Sequence, residues 1–207
     1  MPNHVEGDDL ALDTALPRLS EFGSQLLVPF TVNRLPRPSV LWLNCRWFRR
    51  QGLCVAPNTT SRRQVETILL DNFAYLVAAQ KGDDGLSGSK VVFADRYGDP
   101  GGLSPHGGSG RVANIGRFQI KGIGPTPLVG TATWMHSHGM VTIDEAVCEA
   151  IFAELMNAEL PYGSAPVIAI VDTGELVPPS YEGDENTRDA YFGTQSRGFG
   201  IRCLRFK

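Results

Sequence analysis

Residues 106–127 read HGGSGRVANIGRFQIKGIGPTP, in which two glycine clusters bracket two short apolar segments. The first cluster leads into Arg111, and the second follows Lys121 directly. Glycine lets the backbone approach a ligand closely and turn its N–H groups inward, while the two cations add fixed positive charge. This pattern predicts a hairpin that binds phosphate, and the working hypothesis is a nucleotide site. The glycines of the first cluster are Gly107, Gly108 and Gly110.

Composition narrows the classes of protein to which this chain can belong. Of its 207 residues, 42% are hydrophobic and 20% are charged, which is typical of a globular protein with a buried core. A formal net charge of -3 gives no basic footprint, so no nucleic-acid partner is expected. No run of eighteen apolar residues occurs, and the opening MPNHVEGDDLALD lacks the architecture of a secretion signal. We therefore expect no membrane partner and a cytoplasmic location.

The first ninety residues predict a mainly helical extension. An amphipathic helix is expected over about residues 60–80, with Thr60 or Ser61 as its N-cap. A shorter helix over 16–26 and an extended LLVPFTV segment over 26–32 are also expected. The apolar residues that recur at helical spacing in the longer helix are Val65, Ile68, Leu69, Phe73 and Leu76.

The segment SVLWLNCRWFRRQGLC, residues 39–54, combines aromatic and basic side chains and has two interpretations. One is a basic-aromatic surface that docks a partner. The other, which we favour, is a packing segment whose arginine stems cover apolar surface.

From residue 91 onward the pattern predicts a hairpin, a helix and two further strands. The hairpin turns near 114–116, and a second turn is expected at 172–174. Thr142 caps the helix, with Glu145 in the capping-box position, and the helix ends near Asn157. Its expected buried stripe is Val147, Ile151, Leu155 and Met156. The strands are expected over 91–93, 112–115, 117–121, 166–171 and 198–206.

Four charged residues of this second half would lie close together if the predicted helix packs on the predicted sheet. A lysine on a strand needs a helix carboxylate to hold its ammonium toward phosphate oxygens. Glu149 on the helix is the candidate partner of Lys121, Arg111 lies at the glycine-rich turn, and Arg202 lies on the last strand. An antiparallel sheet with such a packed helix is the small lobe of a protein-kinase-like fold. The predicted fold class is therefore α+β.

Five segments of this half resemble the selenoprotein O-like protein adenylyltransferases. The resemblance is closest to the MchC-type branch, which matures siderophore-microcins, and it covers about residues 91–207. The resemblance implies that residues 91–207 form a kinase-like small lobe, which follows the extension over residues 1–90. The matching segments are ADRYG (94–98), GGSGR (107–111), FQIKGIGPTPLV (118–129), IDEAVCEAIFAELM (143–156) and VIAIVDTGE (167–175).

The resemblance implies an inverted kinase fold that binds ATP with magnesium or manganese and transfers AMP to hydroxyl side chains of proteins. On this basis, Lys121 matches the strand lysine and Glu149 matches its helix partner. Arg111 matches the arginine of the glycine loop, and Arg202 matches an arginine near the hinge that contacts phosphate. The glycines Gly107, Gly108 and Gly110 complete the expected nucleotide site.

Two hypotheses from different classes remain open. In the first, the chain is an ATP-binding nucleotidyltransferase that modifies a protein or a microcin-type peptide. In the second, it is a truncated, non-catalytic module that binds a nucleotide or a partner. The family's second lobe, with its catalytic aspartate and metal ligands, has no counterpart before residue 207, so no catalytic or metal-binding residue is assigned. A companion chain that supplies this lobe is a third alternative. His136 and His138 are too few ligands to predict a metal site.

Overall fold

The computed structural model describes residues 26–77, 88–97, 107–129, 139–176 and 196–203, which form one antiparallel sheet with three helices. The predicted α+β class with an antiparallel sheet is thereby confirmed. The helices are α1 (Cys45–Arg50), α2 (Thr60–Phe73) and α3 (Ile143–Glu159). The strands are β1 (Leu27–Arg34), β2 (Ser39–Leu43), β3 (Tyr75–Leu76), β4 (Ser89–Asp95), β5 (Val112–Ile115), β6 (Phe118–Lys121), β7 (Val141–Thr142), β8 (Val167–Leu176) and β9 (Ser196–Cys203).

The order of the strands puts the hairpin near the middle of the sheet. The described order is β2-β8-β9-β6-β5-β4-β1-β3, and β7 pairs with β9 off this path. Strands β5 and β6 pair from Val112 opposite Lys121 to Ile115 opposite Phe118. The predicted hairpin is confirmed, with its turn at residues 116–117. Because β6 also pairs with β9, the end of the hairpin that carries Lys121 is held on both sides.

Strands from both predicted parts of the chain share this sheet. The extended LLVPFTV segment is confirmed as most of β1, which pairs with β4 along its length from Leu27 to Asn33. Strand β2 pairs with β8, far along the chain. The described residues of the predicted extension therefore contribute strands as well as helices. The short helix predicted over 16–26 lies outside the described residues, except for Leu26.

Helix α2 is shorter than its periodicity predicts. It begins at Thr60, and the predicted N-cap at Thr60 or Ser61 is wrong by one or two residues, because the hydroxyl of Thr59 accepts from the backbone N–H of Arg62. The prediction that it continues to about residue 80 is wrong, because it ends at Phe73 and residues 75 and 76 form β3. Pairing of β3 with β1 satisfies these backbone groups in the sheet, so tertiary pairing overrides local helical spacing. The buried face of α2 consists of Val65, Leu69 and Phe73.

The basic-aromatic segment 39–54 packs into the fold. Phe48 on α1 is 1% exposed, whereas Arg46, Arg49 and Arg50 are exposed. Asn44, which is buried, caps α1 by accepting from the backbone N–H of Trp47 at 2.9 Å. Its amide also donates to Glu154 at 2.7 Å and to the carbonyl oxygen of Val167 at 2.9 Å, so it joins α1 to α3 and β8. The segment therefore packs through Phe48 and Asn44, while the choice between arginines that cover apolar surface and a docking surface stays a prediction.

Helix α3 packs on the sheet through alanines. Its buried residues are Ala146, Ala150 and Ala153, which lie in one cluster with residues of β7 and β8. The predicted buried stripe of Val147, Ile151, Leu155 and Met156 is wrong, because all four are exposed. Small side chains let the helix axis come close to the sheet, and the larger apolar side chains are then directed away from it. None of the helices in the described ranges is both long and apolar enough to cross a membrane.

Strand β8 continues through the turn that the sequence predicts at residues 172–174. The carboxylate of Asp172 accepts from the backbone N–H of Gly174 at 2.9 Å, as in the expected turn. The pairing with β9 nevertheless resumes at Leu176, with a register shift in between. The predicted turn is therefore a bulge inside a longer strand.

Lys90 on β4 gives the stability a predicted dependence on pH. Burial, followed by the nearby charge of Arg34, lowers the pKa of Lys90 from 10.5 to about 8. Its ammonium donates to the carbonyl oxygen of Asn72 and lies 4.0 Å from the centroid of the Tyr75 ring. Between these two pKa values the unfolded chain holds the proton and the folded chain releases it, so the free energy of unfolding should rise with pH in this window. Urea unfolding across the window measures the rise, and Lys90→Met should remove it. If the free energy of unfolding of Lys90→Met rises equally with pH, the effect belongs to another titratable group.

Candidate functional site

The first glycine cluster is held tightly against the rest of the protein. Gly108 is buried, and a Cβ atom there would overlap the carbonyl oxygen of Asp95. The next residue, Ser109, donates its backbone N–H to the same oxygen at 2.8 Å. The carbonyl oxygen of Gly110 accepts from the backbone N–H of Thr126 at 3.0 Å. Internal close packing thus accounts for Gly108, and the segment is clamped between the end of β4 and the loop after β6.

Gly107 and Gly110 also lie against this loop. A Cβ atom at Gly107 would lie 3.0 Å from a methyl group of Leu128 and 3.6 Å from the guanidinium of Arg96. One at Gly110 would lie 3.3 Å from the Cα of Val129. The three predicted glycines therefore form one packed segment that leads directly to Arg111.

Arg111 and Lys121 lie together at the open end of the hairpin. Lys121 is opposite Val112 in the register, and the backbone N–H of Gly122 donates to the carbonyl oxygen of Arg111 at 2.9 Å. The fold therefore brings the two predicted cations to the same end of neighbouring strands.

Each cation is paired with a glutamate of α3. The ammonium of Lys121 forms an ion pair with Glu149, as the sequence predicts. The guanidinium of Arg111 forms a second ion pair with Glu145, in which Nη2 lies 2.7 Å from Oε1. All four side chains are partly buried. We refer to Arg111, Lys121, Glu145 and Glu149 as the charge cluster.

Glu145 is the member of the charge cluster that sequence reasoning missed. The sequence predicts only its capping-box role, and the hydroxyl of Thr142 does accept from its backbone N–H at 3.2 Å. Its spacing from Glu149 was the signal that could have found it. Two carboxylates four residues apart lie on one face of a helix, about one turn from each other. Two cations at the end of one hairpin can pair with such a face.

Contacts at both ends fix α3 relative to the hairpin. At its start, the backbone N–H of Gly124 donates to the carbonyl oxygen of Gly139 at 3.0 Å, which ties the loop after β6 to the residues that lead into β7 and α3. Near its end, the hydroxyl of Ser164 donates to the carbonyl oxygen of Ala153 at 2.7 Å. Glu154 accepts from the amide of Asn44 in the same region. The carboxylates of Glu145 and Glu149 are therefore presented from a well-anchored element.

One guanidinium nitrogen of the charge cluster has no hydrogen-bond partner among the described residues. Nη1 of Arg111 is buried and makes no hydrogen bond within the part of the chain that the structure describes. Leaving a buried charged donor unpaired costs free energy, so such atoms mark places where a ligand or a water molecule is accommodated. An anion oxygen is the natural partner, because hydrogen bonds between a guanidinium and an anion are among the strongest in proteins.

For Arg202, the structure gives the backbone position on β9. It lies opposite Gln119 of β6, and Gly200 lies opposite Lys121. Alternate residues of a strand share one face of the sheet, so position 202 is on the same face as Lys121 and two residues further along. The backbone register thus puts Arg202 one strand away from the lysine, and its contact with phosphate stays a prediction.

Residues that could hold a metal ion are not grouped in the described part of the chain. No set of three or more His, Cys, Asp or Glu side chains is arranged for this purpose in residues 26–77, 88–97, 107–129, 139–176 and 196–203. His136 and His138 lie outside these ranges. The described residues therefore contain no ready-made site for magnesium or manganese.

Comparison with protein-family models and with curated proteins finds no match to this chain. The resemblance to the selenoprotein O-like proteins consequently stays a prediction from the residues quoted above.

Proposed function

We propose that this chain binds the phosphate groups of a nucleotide, with ATP as the expected ligand, at the charge cluster. The proposal depends mainly on the guanidinium of Arg111, which pairs with Glu145 and whose buried Nη1 has no hydrogen-bond partner among the described residues. A guanidinium can bind two groups at once, because it has five N–H donors in a rigid plane.

Lys121 supports the same ligand. Its ion pair with Glu149 limits the rotamers of a long side chain before any ligand arrives. Less conformational entropy is then lost when the ammonium meets a phosphate oxygen. The two glutamates balance the two cations, so we expect weak affinity that depends on the geometry of the donors more than on net charge.

The order of the elements also favours a kinase-like small lobe. In protein kinases a glycine-rich loop covers the phosphates, a lysine on the third strand contacts them, and a glutamate on the following helix pairs with the lysine. Here the glycine-rich segment lies between β4 and β5, Lys121 lies on β6, the third strand of this series, and Glu149 lies on α3. The glycine-rich segment itself is engaged in internal contacts, so the proposal depends on side-chain cations rather than on its N–H groups.

AMP transfer to a protein or peptide is the reaction that the family resemblance implies. The charge cluster supplies the nucleotide-binding part of such a reaction. The non-catalytic module is the alternative, and it uses the same site. Nucleotide binding is therefore the property to test first.

Calorimetric titration with ATP, ADP, AMP and adenosine tests the proposal. Affinity should fall along this series, because each step removes an anionic group that the cations contact, and magnesium should change ATP binding little. Arg111→Met should weaken ATP binding by about tenfold or more, the usual range for losing a charge-assisted hydrogen bond. Arg117→Met is the matched control, because Arg117 is exposed at the turn of the same hairpin. Adenosine binding as tightly as ATP would contradict the proposal, and so would an unchanged affinity in Arg111→Met.

A further inference from the structure

Helix α3 exposes a broad apolar surface on the side opposite the sheet. We call it the outer face of α3, and its members are Val147, Ile151, Phe152, Leu155 and Met156. Ile151 is 61% exposed and Phe152 is 58% exposed, and the surface continues at the helix end through Leu160 and Tyr162. Contiguous exposed apolar surfaces of this kind mark interaction sites more often than isolated apolar residues do.

The sizes of the side chains on α3 indicate that the sheet covers one side of the helix and that a second partner covers the other. A helix on the surface of a globular protein normally has polar residues opposite its core-facing stripe. On α3 the core-facing stripe consists of alanines, and the large apolar side chains are on the outer face. Folding of this chain therefore buries the smaller apolar face and leaves the larger one available to a partner.

The outer face borders a cleft that suits an inserted side chain. The cleft has a volume of about 460 Å³ and lies between α3 and residues 164–165. Phe152, Met156 and Cys148 form its apolar part, and Glu145 and Glu149 line it as well. A partner that places apolar side chains here also approaches carboxylates.

Charge decides which kind of partner fits. Residues 143–166 contain five acidic residues and no Lys, Arg or His. Two of the five acids pair with Arg111 and Lys121, whereas Asp144 and Glu159 are exposed near the two ends of α3. A second copy of α3 packed on this face would bring like charges together, which opposes association. A segment with an apolar face and basic edges complements both the shape and the charge.

We propose that the outer face of α3 docks an amphipathic helical segment of a partner protein, whose apolar side chains enter the cleft and whose Lys or Arg residues meet the acidic residues of α3. Helices bind apolar grooves in this manner through residues spaced three and four apart. The cleft adjoins the proposed phosphate site, because Glu145 and Glu149 line it and also pair with Arg111 and Lys121, so the peptide is titrated without nucleotide.

Fluorescence anisotropy of labelled peptides, titrated with the full chain, tests the proposal. The probe is a designed helical peptide with leucines on one face and lysines on the other. One control peptide has glutamate in place of every lysine, and another has the leucine and lysine positions scrambled. The leucine-lysine peptide should bind, its affinity should fall as salt is added, and both controls should bind about tenfold more weakly or less.

Substitution on the outer face locates the binding. Phe152→Asp should weaken the leucine-lysine peptide by about tenfold or more, the size of effect expected at the centre of an interface. Tyr97→Asp is the matched control, because Tyr97 is 74% exposed and lies after β4, away from α3. Circular dichroism checks that both variants fold.

Three results would overturn the proposal. The first is equal binding of the lysine and glutamate peptides, and the second is equal binding by Phe152→Asp and the unsubstituted chain. The third is a dimer in light scattering that Phe152→Asp converts to a monomer, since the outer face would then be an interface between copies of this chain.

Discussion

Substituting Lys121 by alanine is expected to abolish measurable ATP binding. The ammonium of Lys121 is held by Glu149 at the open end of the hairpin, next to the guanidinium of Arg111. Its removal takes away one of two cations and leaves the carboxylate of Glu149 to repel the incoming phosphates. Losing an attraction and gaining a repulsion together should weaken binding by about a hundredfold, since a hydrogen bond to a charged group alone contributes roughly 1.5–3 kcal/mol. Calorimetry on the purified variant measures the loss.

Two further variants separate the charge from the geometry. Lys121→Arg keeps a cation on β6, so it should retain part of the affinity. The double variant Lys121→Ala with Glu149→Gln removes the repulsion, and it should recover part of what Lys121→Ala loses. Thermal unfolding of each variant checks that the sheet is intact. If Lys121→Ala binds ATP as the unsubstituted chain does, the lysine is not part of a phosphate site.

Gly139→Ala is expected to lower the stability of the fold strongly. Gly139 has φ +67°, a conformation that favours glycine, and a Cβ atom there would overlap the backbone of Gly124. Neither side of this contact can move without breaking the hydrogen bond between them. Left-handed backbone and a backbone collision together should lower the free energy of unfolding by at least about 3 kcal/mol. Urea unfolding measures the change.

Gly52→Ala is the matched control for this effect. Gly52 has φ +81°, but a Cβ atom there would have nothing within 4 Å. The difference between the two variants therefore isolates the collision from the backbone conformation, and Gly52→Ala should cost only about 1–2 kcal/mol. Equal losses in the two variants would show that the contact between Gly139 and Gly124 is not tight in solution.

The sequence predicts elements well where local chemistry determines them. The hairpin over 112–121 and the cap at Thr142 depend on residues close together in the chain, and both are found. The predicted end of helix α2 is wrong because Tyr75 and Leu76 pair with β1, which is a contact between residues distant in the chain. The predicted buried face of α3 is wrong for a related reason. Helical spacing identifies apolar stripes, but only the distance to the sheet decides whether the alanine stripe or the larger stripe is buried.

In the candidate site, too, the sequence predicts the features that depend on local patterns and misses those that depend on contacts between distant residues. The pairing of Lys121 with Glu149 is predictable, because local patterns identify both the strand and the helix that carry them. The sequence also predicts Arg111, but its partner Glu145 has a sufficient local role as a capping-box residue, and nothing local marks it as a second carboxylate of the site. The packing of Gly108 against Asp95 could not be predicted either, because it depends on how the end of β4 meets the glycine-rich segment.

The position of β9 bears on how the protein is made. Among the described strands, β9 is the last to be synthesised, yet it lies inside the sheet and connects the β2–β8 pair to β6 and the strands beyond it. A chain emerging from the ribosome therefore exposes unpaired edges on β6 and β8 until residues 196–203 arrive. Exposed edges of this kind favour aggregation, and pairing between distant strands is slow to form. A nascent chain that stops before β9 would have two sheet fragments with no described strand to join them, so its yield as a folded protein depends on the translation of residues 196–203.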